Sequence, residues 1–223
     1  MKIKKDEKLA EAVGIILGDG NFYISSRCAQ LDIALNSKEN YYISYVQELF
    51  FQITKIKPSV KFDSKRNCIH LRISKKDVVL ALLNSTGLKA GNKIKNKVTI
   101  PKWIWKKKSY LRLCIRGLMD TDGSLYYLKP HWSNLLQLSF KSNNKKLLKD
   151  TWKAFIELGF TPSKIFGNRF VITRQKEIEK FLKEINPIRL MRKPRSVAVK
   201  NRLCTPASGA GNPGSNPGGA IKL

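Results

Sequence analysis

The stretch "EAVGIILGDGNFY", Glu11 to Tyr23, decides the fold. Its apolar spacing reads as a helix, and that helix ends in Asp19-Gly20. A helix C-terminus carries about half a negative charge on its unpaired carbonyls, so a carboxylate there is repelled. Lys or Arg is the residue expected in the last turn. Gly14 and Gly18 lie four apart on the same helix, where an interior glycine costs about 1 kcal/mol relative to alanine. Both features are locally unfavourable, so compensation has to come from elsewhere in the chain.

It comes from a repeat. "CIRGLMDTDGSLYY" begins at Cys114, and Gly117, Asp122 and Gly123 match Gly14, Asp19 and Gly20, each 103 positions on. The segments that follow also correspond. "LDIAL" and "LQLSF" alternate as strands do, and "NYYISYVQELFFQI" and "KKLLKDTWKAFIELGF" carry helical apolar spacing. Each half therefore reads as helix, strand pair, helix, strand pair, helix, an α+β organisation. Gly14 and Gly18, with Gly117 and Thr121, provide the small surfaces that let two leading helices meet backbone to backbone. Packed around a pseudo-two-fold axis, these helices bring Asp19 and Asp122 together. Two carboxylates on two negative helix ends require a cation. Mg²⁺, a hard ion that takes oxygen ligands and bridges to phosphate, suits them.

Composition points the same way. The 223 residues include 43 Lys and Arg against 16 acids, a formal charge of +27, with 42% hydrophobic residues to build a core. Basic residues interleaved with aromatics fit a polyanionic partner, because each phosphate contact releases counterions. No apolar run approaches the roughly 18 residues of a membrane span, and the N-terminus lacks a signal-peptide pattern, so a cytoplasmic or organellar-matrix location is expected. Cys28, Cys68, Cys114 and Cys204 form no C-x-x-C pair, and His70 and His131 are too scattered for a zinc set. Four reduced, mostly buried thiols are expected.

"AVGIILGDG" and "IRGLMDTDG" resemble the two signature helices of the LAGLIDADG homing endonucleases, in the single-chain, two-repeat form. The resemblance covers roughly residues 7 to 190. It divides the chain into a first repeat (7–99), a basic linker (100–112), a second repeat (113–190) and a tail (191–223). It implies two αββαββα halves, each presenting a saddle-shaped antiparallel sheet to the DNA major groove. It also implies metal-assisted phosphodiester hydrolysis giving a staggered double-strand break. Asp19 and Asp122 are then the metal acids, with Gly18 and Thr121 beside them in the metal set. On the order of two or three Mg²⁺ ions would be held, with Mn²⁺ able to substitute. Asp120 matches a position that is more often structural, and the first motif has Leu17 there.

Basic or amide side chains around the metal acids are expected from Lys75 and Arg174, at the ends of the late strands, and from Asn36 and Lys141, read as a matched pair. Base-reading candidates on the open sheet faces are Tyr23, Ser25, Arg27, Gln30 and Asp32 in the first half. Tyr126, Lys129, His131, Ser133 and Gln137 form the second set. The Lys-rich, acid-free segment from Lys89 to Lys108 is expected to contact phosphate, with Trp103 and Trp105 anchoring it to the core. The tail from Pro206 is Gly-, Pro-, Ser- and Asn-rich and is expected to be disordered. The implied partner is double-stranded DNA with a long target site. The intron's own RNA is a further candidate partner; no membrane or protein partner is required and a monomer is expected. An RNA-binding maturase and a regulator on a retired nuclease scaffold remain the alternatives.

Overall fold

The computed structural model describes residues 3–63, 67–128 and 135–192. Lys129, His131 and Ser133, Cys204, and the tail beyond 192 lie outside the described residues.

The first half runs α1 (Glu7–Asp19), β1 (Gly20–Ile24), β2 (Ala29–Asn36), α2 (Asn40–Thr54), β3 (Ser59–Asp63), β4 (Cys68–Ile73) and α3 (Lys76–Thr86). The second runs α4 (Lys108–Asp122), β5 (Gly123–Tyr127), β6 (Leu136–Lys141), α5 (Lys145–Glu157), β7 (Arg169–Ile172) and α6 (Gln175–Glu184). The first sheet is antiparallel in the order β1-β2-β4-β3, and the second is β5-β6-β7.

The expected fourth strand of the second half is reduced to a single bridge between Phe166 and Arg169. The chemistry of "TPSKIFGN" explains this. Pro162 has no N–H to give a ladder. The Val171 amide bonds the Ser163 hydroxyl (3.1 Å) in place of a strand carbonyl, and Gly167 at φ +60° turns the chain at once.

Strand alternation sorts the sheets into two faces. Phe22, Leu31, Ile33, Ile69 and Leu71 are buried on one face of the first sheet, and Leu125, Leu138, Phe140, Phe170 and Ile172 on one face of the second. Helices α1 and α3 contact β2 on the first sheet, and α4 and α6 contact β6 on the second. The opposite faces carry the intervening polar residues. In the second half, Phe155 stacks on Phe181 at 5.6 Å between centroids and meets Phe170 edge-on at 5.2 Å, which fills the space under the shorter sheet.

At the centre, α1 packs directly on α4. A methyl group added at Gly14 would collide with the Cys114 carbonyl and lie 2.9 Å from the Leu118 amide nitrogen. One at Gly117 would lie 2.5 Å from the Glu11 carbonyl oxygen and 2.8 Å from the Ile15 nitrogen. At Gly18 it would meet the Thr121 side chain, 2.5 Å from its Cβ. The four small residues expected at this interface therefore all lie in it. The contact allows the backbones to approach as side chains would not, which compensates for the glycine penalty.

A polar group crosses the same interface. Glu11 of α1 is buried, accepts from Tyr45 Oη of α2 (2.6 Å) and faces Arg116 Nε of α4 (3.4 Å). Of the cysteines, Cys114 is buried in the helix interface while Cys28 is exposed in the β1–β2 turn, so burial is not general. Among the described residues no helix is long and apolar enough to cross a membrane. Trp103 donates Nε1–H to the Thr86 carbonyl (2.9 Å) and meets Tyr110 edge-on, anchoring the linker as expected; Trp105 packs partly buried on the core.

Candidate nuclease active site

Asp19 and Asp122 end α1 and α4, whose last turns lie against each other through Gly18 and Thr121. Each helix passes directly into a strand through glycine. A Cβ at Gly20 would sit 2.6 Å from Ile16 Cα, so the tight exit rather than an unusual φ demands the glycine. Both carboxylates are half-buried. Burial pushes the Asp19 pKa up, against the pull of Arg189 and Lys93. Asp122 is pushed up to about 6, by burial first and by the Asp19 charge second, while Lys93 opposes both. The two acids therefore repel one another in a partly dry site, where charge is costly without a cation.

Neither helix has a basic residue in its last turn. The cations come instead from the segments that follow the third helix of each half. Lys93 Nζ donates to the carbonyls of Ile16 (3.3 Å), Leu17 (2.9 Å) and Gly18. Arg189 Nη1 donates to the carbonyls of Asp120 (2.8 Å) and Thr121 (3.3 Å). Leu17 and Gly18 are the repeat equivalents of Asp120 and Thr121, so the two cations perform the same capping. They satisfy the orphan carbonyls and offset the negative helix ends. Burial lowers the Lys93 pKa, and Asp122 and Asp19 pull it back up.

These caps also tie the halves together. Arg189 Nε reaches Glu39 at the start of α2 (2.6 Å). Asn144 caps α5 with its Oδ1 and donates Nδ2–H to the carbonyl of Val98 (2.6 Å) and, at 3.3 Å, to that of Lys93. A cleft lined by Gly18, Lys93, Asp122, Ser142, Asn143 and Asn144 opens at this junction.

The acceptors at the paired helix ends are all oxygen, the Asp19 and Asp122 carboxylates and the helix-end carbonyls, and of these residues Asp122 and Gly18 line the cleft. This set fits a hard divalent ion. The Gly18 and Thr121 carbonyls each give one lone pair to Lys93 or Arg189 and keep a second. Asp120 takes a different part. It is buried and accepts from the amides of Ile188 (3.0 Å), Arg189 (2.8 Å) and Leu190 (3.4 Å). It thereby fixes the loop that delivers Arg189, and the first half, with Leu17, has no counterpart.

The basic candidates read from the sequence sit elsewhere. Lys75 precedes α3 and faces Asp77 at 3.9 Å. Arg174 is exposed and bonds Thr161 (2.8 Å) and Glu177 (3.1 Å). Neither lines the cleft beside Asp122. Asn36 and Lys141 are not equivalent. Gly20 pairs with Ile33 and Gly123 with Phe140, an offset of 107 that has grown because the β5–β6 connection is longer than the β1–β2 turn. By register Ala34 matches Lys141, and Asn143, which lines the cleft, matches Asn36. Asn36 itself accepts from the Lys38 amide (3.0 Å) in a local turn.

The open faces carry the remaining candidates. Tyr23 pairs in register with Gln30, and Tyr126 with Gln137, so these four form two equivalent cross-strand pairs. Tyr126 Oη donates to Gln137 Oε1. Ser25 closes the β1–β2 turn by accepting from the Cys28 amide (3.1 Å), and Arg27 projects from that turn, exposed. Asp32 is engaged by His70 and Arg72 of β4.

No protein-family profile matches the chain. A replication factor C small subunit from Methanocaldococcus jannaschii is 38% identical over 77 residues, covering 34% of this chain and 4% of that protein. A tRNA-splicing ligase RtcB from Pyrococcus furiosus is 25% identical over 210 residues, covering 80% of this chain and 21% of that protein. The chain thus spans a small part of the curated relatives it matches. Among solved structures, I-DmoI in complex with DNA and Mn superposes with a TM-score of 0.57 at 17% identity, covering 80% of this chain and 96% of that one. The LAGLIDADG meganuclease I-AabMI bound to uncleaved DNA gives a TM-score of 0.52 at 12% identity, covering 80% and 83%. A double mutant of I-SmaMI gives 0.51 at 12%, covering 81% and 85%. Two repeats around paired helices, each ending in an aspartate and capped by a distant cation, are built on the single-chain fold of the LAGLIDADG homing endonucleases.

Proposed function

We propose that the protein is a site-specific DNA endonuclease that hydrolyses one phosphodiester on each strand with divalent metal. The observation that carries this is the pairing of Asp19 and Asp122 at two converging negative helix ends, with Lys93 between them. A structural role does not account for two half-buried carboxylates held against each other and against helix dipoles. A bound cation does. Similar folds have been solved with DNA and with Mn, Ca or Mg.

Asp19 and Asp122 would hold the ion, with the Gly18 and Thr121 carbonyls as further oxygen ligands. When bound, Mg²⁺ or Mn²⁺ supplies charge neutralisation at the scissile phosphate and an activated water. Lys93 holds the α1 carbonyls in place and puts an ammonium group beside both carboxylates, where a phosphate oxygen would dock. Arg189 holds the α4 carbonyls in the same way and acts on the Asp19 charge. The open sheet faces, polar and flanked by basic loops, take the duplex. Both halves of the site lie in one chain, so the protein works as a monomer. A binding-only regulator would retain the repulsion between Asp19 and Asp122 without use for it.

Incubation with duplex DNA spanning the insertion site of its gene, with Mg²⁺, tests the reading. A single staggered break that disappears on chelation is expected. Intact duplex at every metal and salt condition would contradict it.

A further inference from the structure

The open face of the first sheet carries one row that crosses all four strands. Asn21 pairs with Asp32, Asp32 with Arg72, and Arg72 with Ser59. Asp32 Oδ1 accepts from Arg72 Nε (3.0 Å), and Oδ2 lies 2.5 Å from His70 Nδ1 on the same strand as Arg72. All three side chains keep part of their surface in solvent, at 20% for Asp32, 27% for His70 and 30% for Arg72.

Asp32 is an acceptor on a face that would meet phosphate and base edges. Its two oxygens are each engaged within the sheet, Oδ1 by Arg72 and Oδ2 by His70. What it does is fix Arg72. Taking the Nε–H sets the plane of the guanidinium and leaves the four N–H donors of Nη1 and Nη2 in their rigid end-on fork. That fork matches the O6 and N7 acceptors of guanine in the major groove, the commonest specific pairing in protein–DNA recognition. An arginine held by a carboxylate has less side-chain freedom to lose on binding than a free one.

The second sheet breaks the symmetry at this row. Its register equivalent is Ser124–Ser139–Val171, with serine in place of Asp32 and valine in place of Arg72. Ser139 is buried, and Val171 offers no donor to a base.

We infer that Arg72, positioned by Asp32, reads a guanine in one half of the DNA target, and that the other half-site has no matching guanine requirement. The inference rests on the DNA-endonuclease reading. It makes Arg72 the specificity-determining residue and Asp32 a positioning residue, a reversal of the role expected for Asp32 from its alternation alone.

Recovery of bound duplexes from a randomised library by the full-length protein tests this. The parent is expected to select one guanine on one side of the site without a mirrored guanine on the other. Arg72→Lys keeps the charge but loses the fork, so preference at that base pair should fall by about tenfold to a hundredfold while other positions are unchanged. Asp32→Ala frees the guanidinium and should weaken preference several-fold at the same base pair only. Thermal melts of both variants confirm folding. Arg72→Met serves as the second removal of the fork and should abolish the same preference. A uniform loss of affinity with unchanged preferences would make Arg72 a phosphate contact and overturn the inference. So would a guanine preference mirrored in both halves. A parent that selects no sequence at all would overturn this inference and the endonuclease reading together.

Discussion

Lys93 and Arg189 cap the two central helices at equivalent carbonyls, Lys93 at Leu17 and Gly18, Arg189 at Asp120 and Thr121. The first consequence concerns stability. Lys93→Met keeps the apolar stem and removes the charge, taking the ammonium donor from the Leu17 and Gly18 carbonyls, while Ile16 keeps its bond from the Gly20 amide. It should cost about 1–2 kcal/mol, read as a lower midpoint in urea denaturation. Cleavage should fall more steeply than stability does, because the same ammonium faces both carboxylates. An unchanged midpoint with unchanged cleavage would remove Lys93 from the site.

The helix interface makes a sharper demand. Gly14→Ala and Gly117→Ala each push a methyl group into the backbone of the facing helix. Overpacking of side chains typically costs about 1–3 kcal/mol, and here the obstacle is backbone that cannot rotate away. Each variant should lose at least about 3 kcal/mol in chemical denaturation or fail to fold. A fully stable alanine variant would mean that α1 and α4 do not meet there.

Asp122 gives the metal-free protein a defined pH dependence. Its folded pKa is raised to about 6 from an ordinary value of 3.8. Between these values the folded state binds the proton more tightly than the unfolded chain. The group's contribution to stability is therefore lost as pH rises from about 4 to about 6. Asp122→Asn removes this penalty. Allowing for partial solvent access, it should stabilise the metal-free protein by about 1–2 kcal/mol at pH 7.5 and by nothing below about pH 4. Thermal melts of parent and variant across that range check it. A difference independent of pH would contradict the sign.

Much of this arrangement was legible in the sequence because it is local and repeated. The Gly14–Gly18 and Gly117–Thr121 spacings and the two Asp-Gly ends are fixed by helix geometry, so matching 103-residue offsets placed them in one interface. Lys93 and Arg189 were hidden. They reach carbonyls about 70 residues away in the chain, and they follow α3 and α6 by loops of different length, so no common offset marks them. Lys75 and Arg174 matched each other in sequence, but a strand end is set by sheet register and not by the helix ends. Asp32 read as base-facing because alternation gives a side chain's face and not its partner across the strand. The missing strand of the second half follows from Pro162 and the turn at Gly167, local signals that the repeat comparison overrode.

The basic surface predicts steep salt dependence. If a chain with formal charge +27 lays its two sheets on a duplex as proposed, it should neutralise at least about six phosphates, giving a log–log slope of about −5 or steeper. Affinity measured between 50 and 300 mM salt checks this, and a nearly flat line would contradict binding through the charged surface.

The central claim is that Asp19 and Asp122 hold the catalytic metal. Asp19→Asn and Asp122→Asn keep size and remove the charge. The direct measurement is double-strand cutting of target DNA in Mg²⁺, read beside affinity for the same DNA. Each variant should lose double-strand cutting and keep or gain affinity, because fewer carboxylates then face phosphate at the helix ends. A parent that cuts, with both Asn variants cutting equally well, would contradict the account and place the chemistry elsewhere in the molecule.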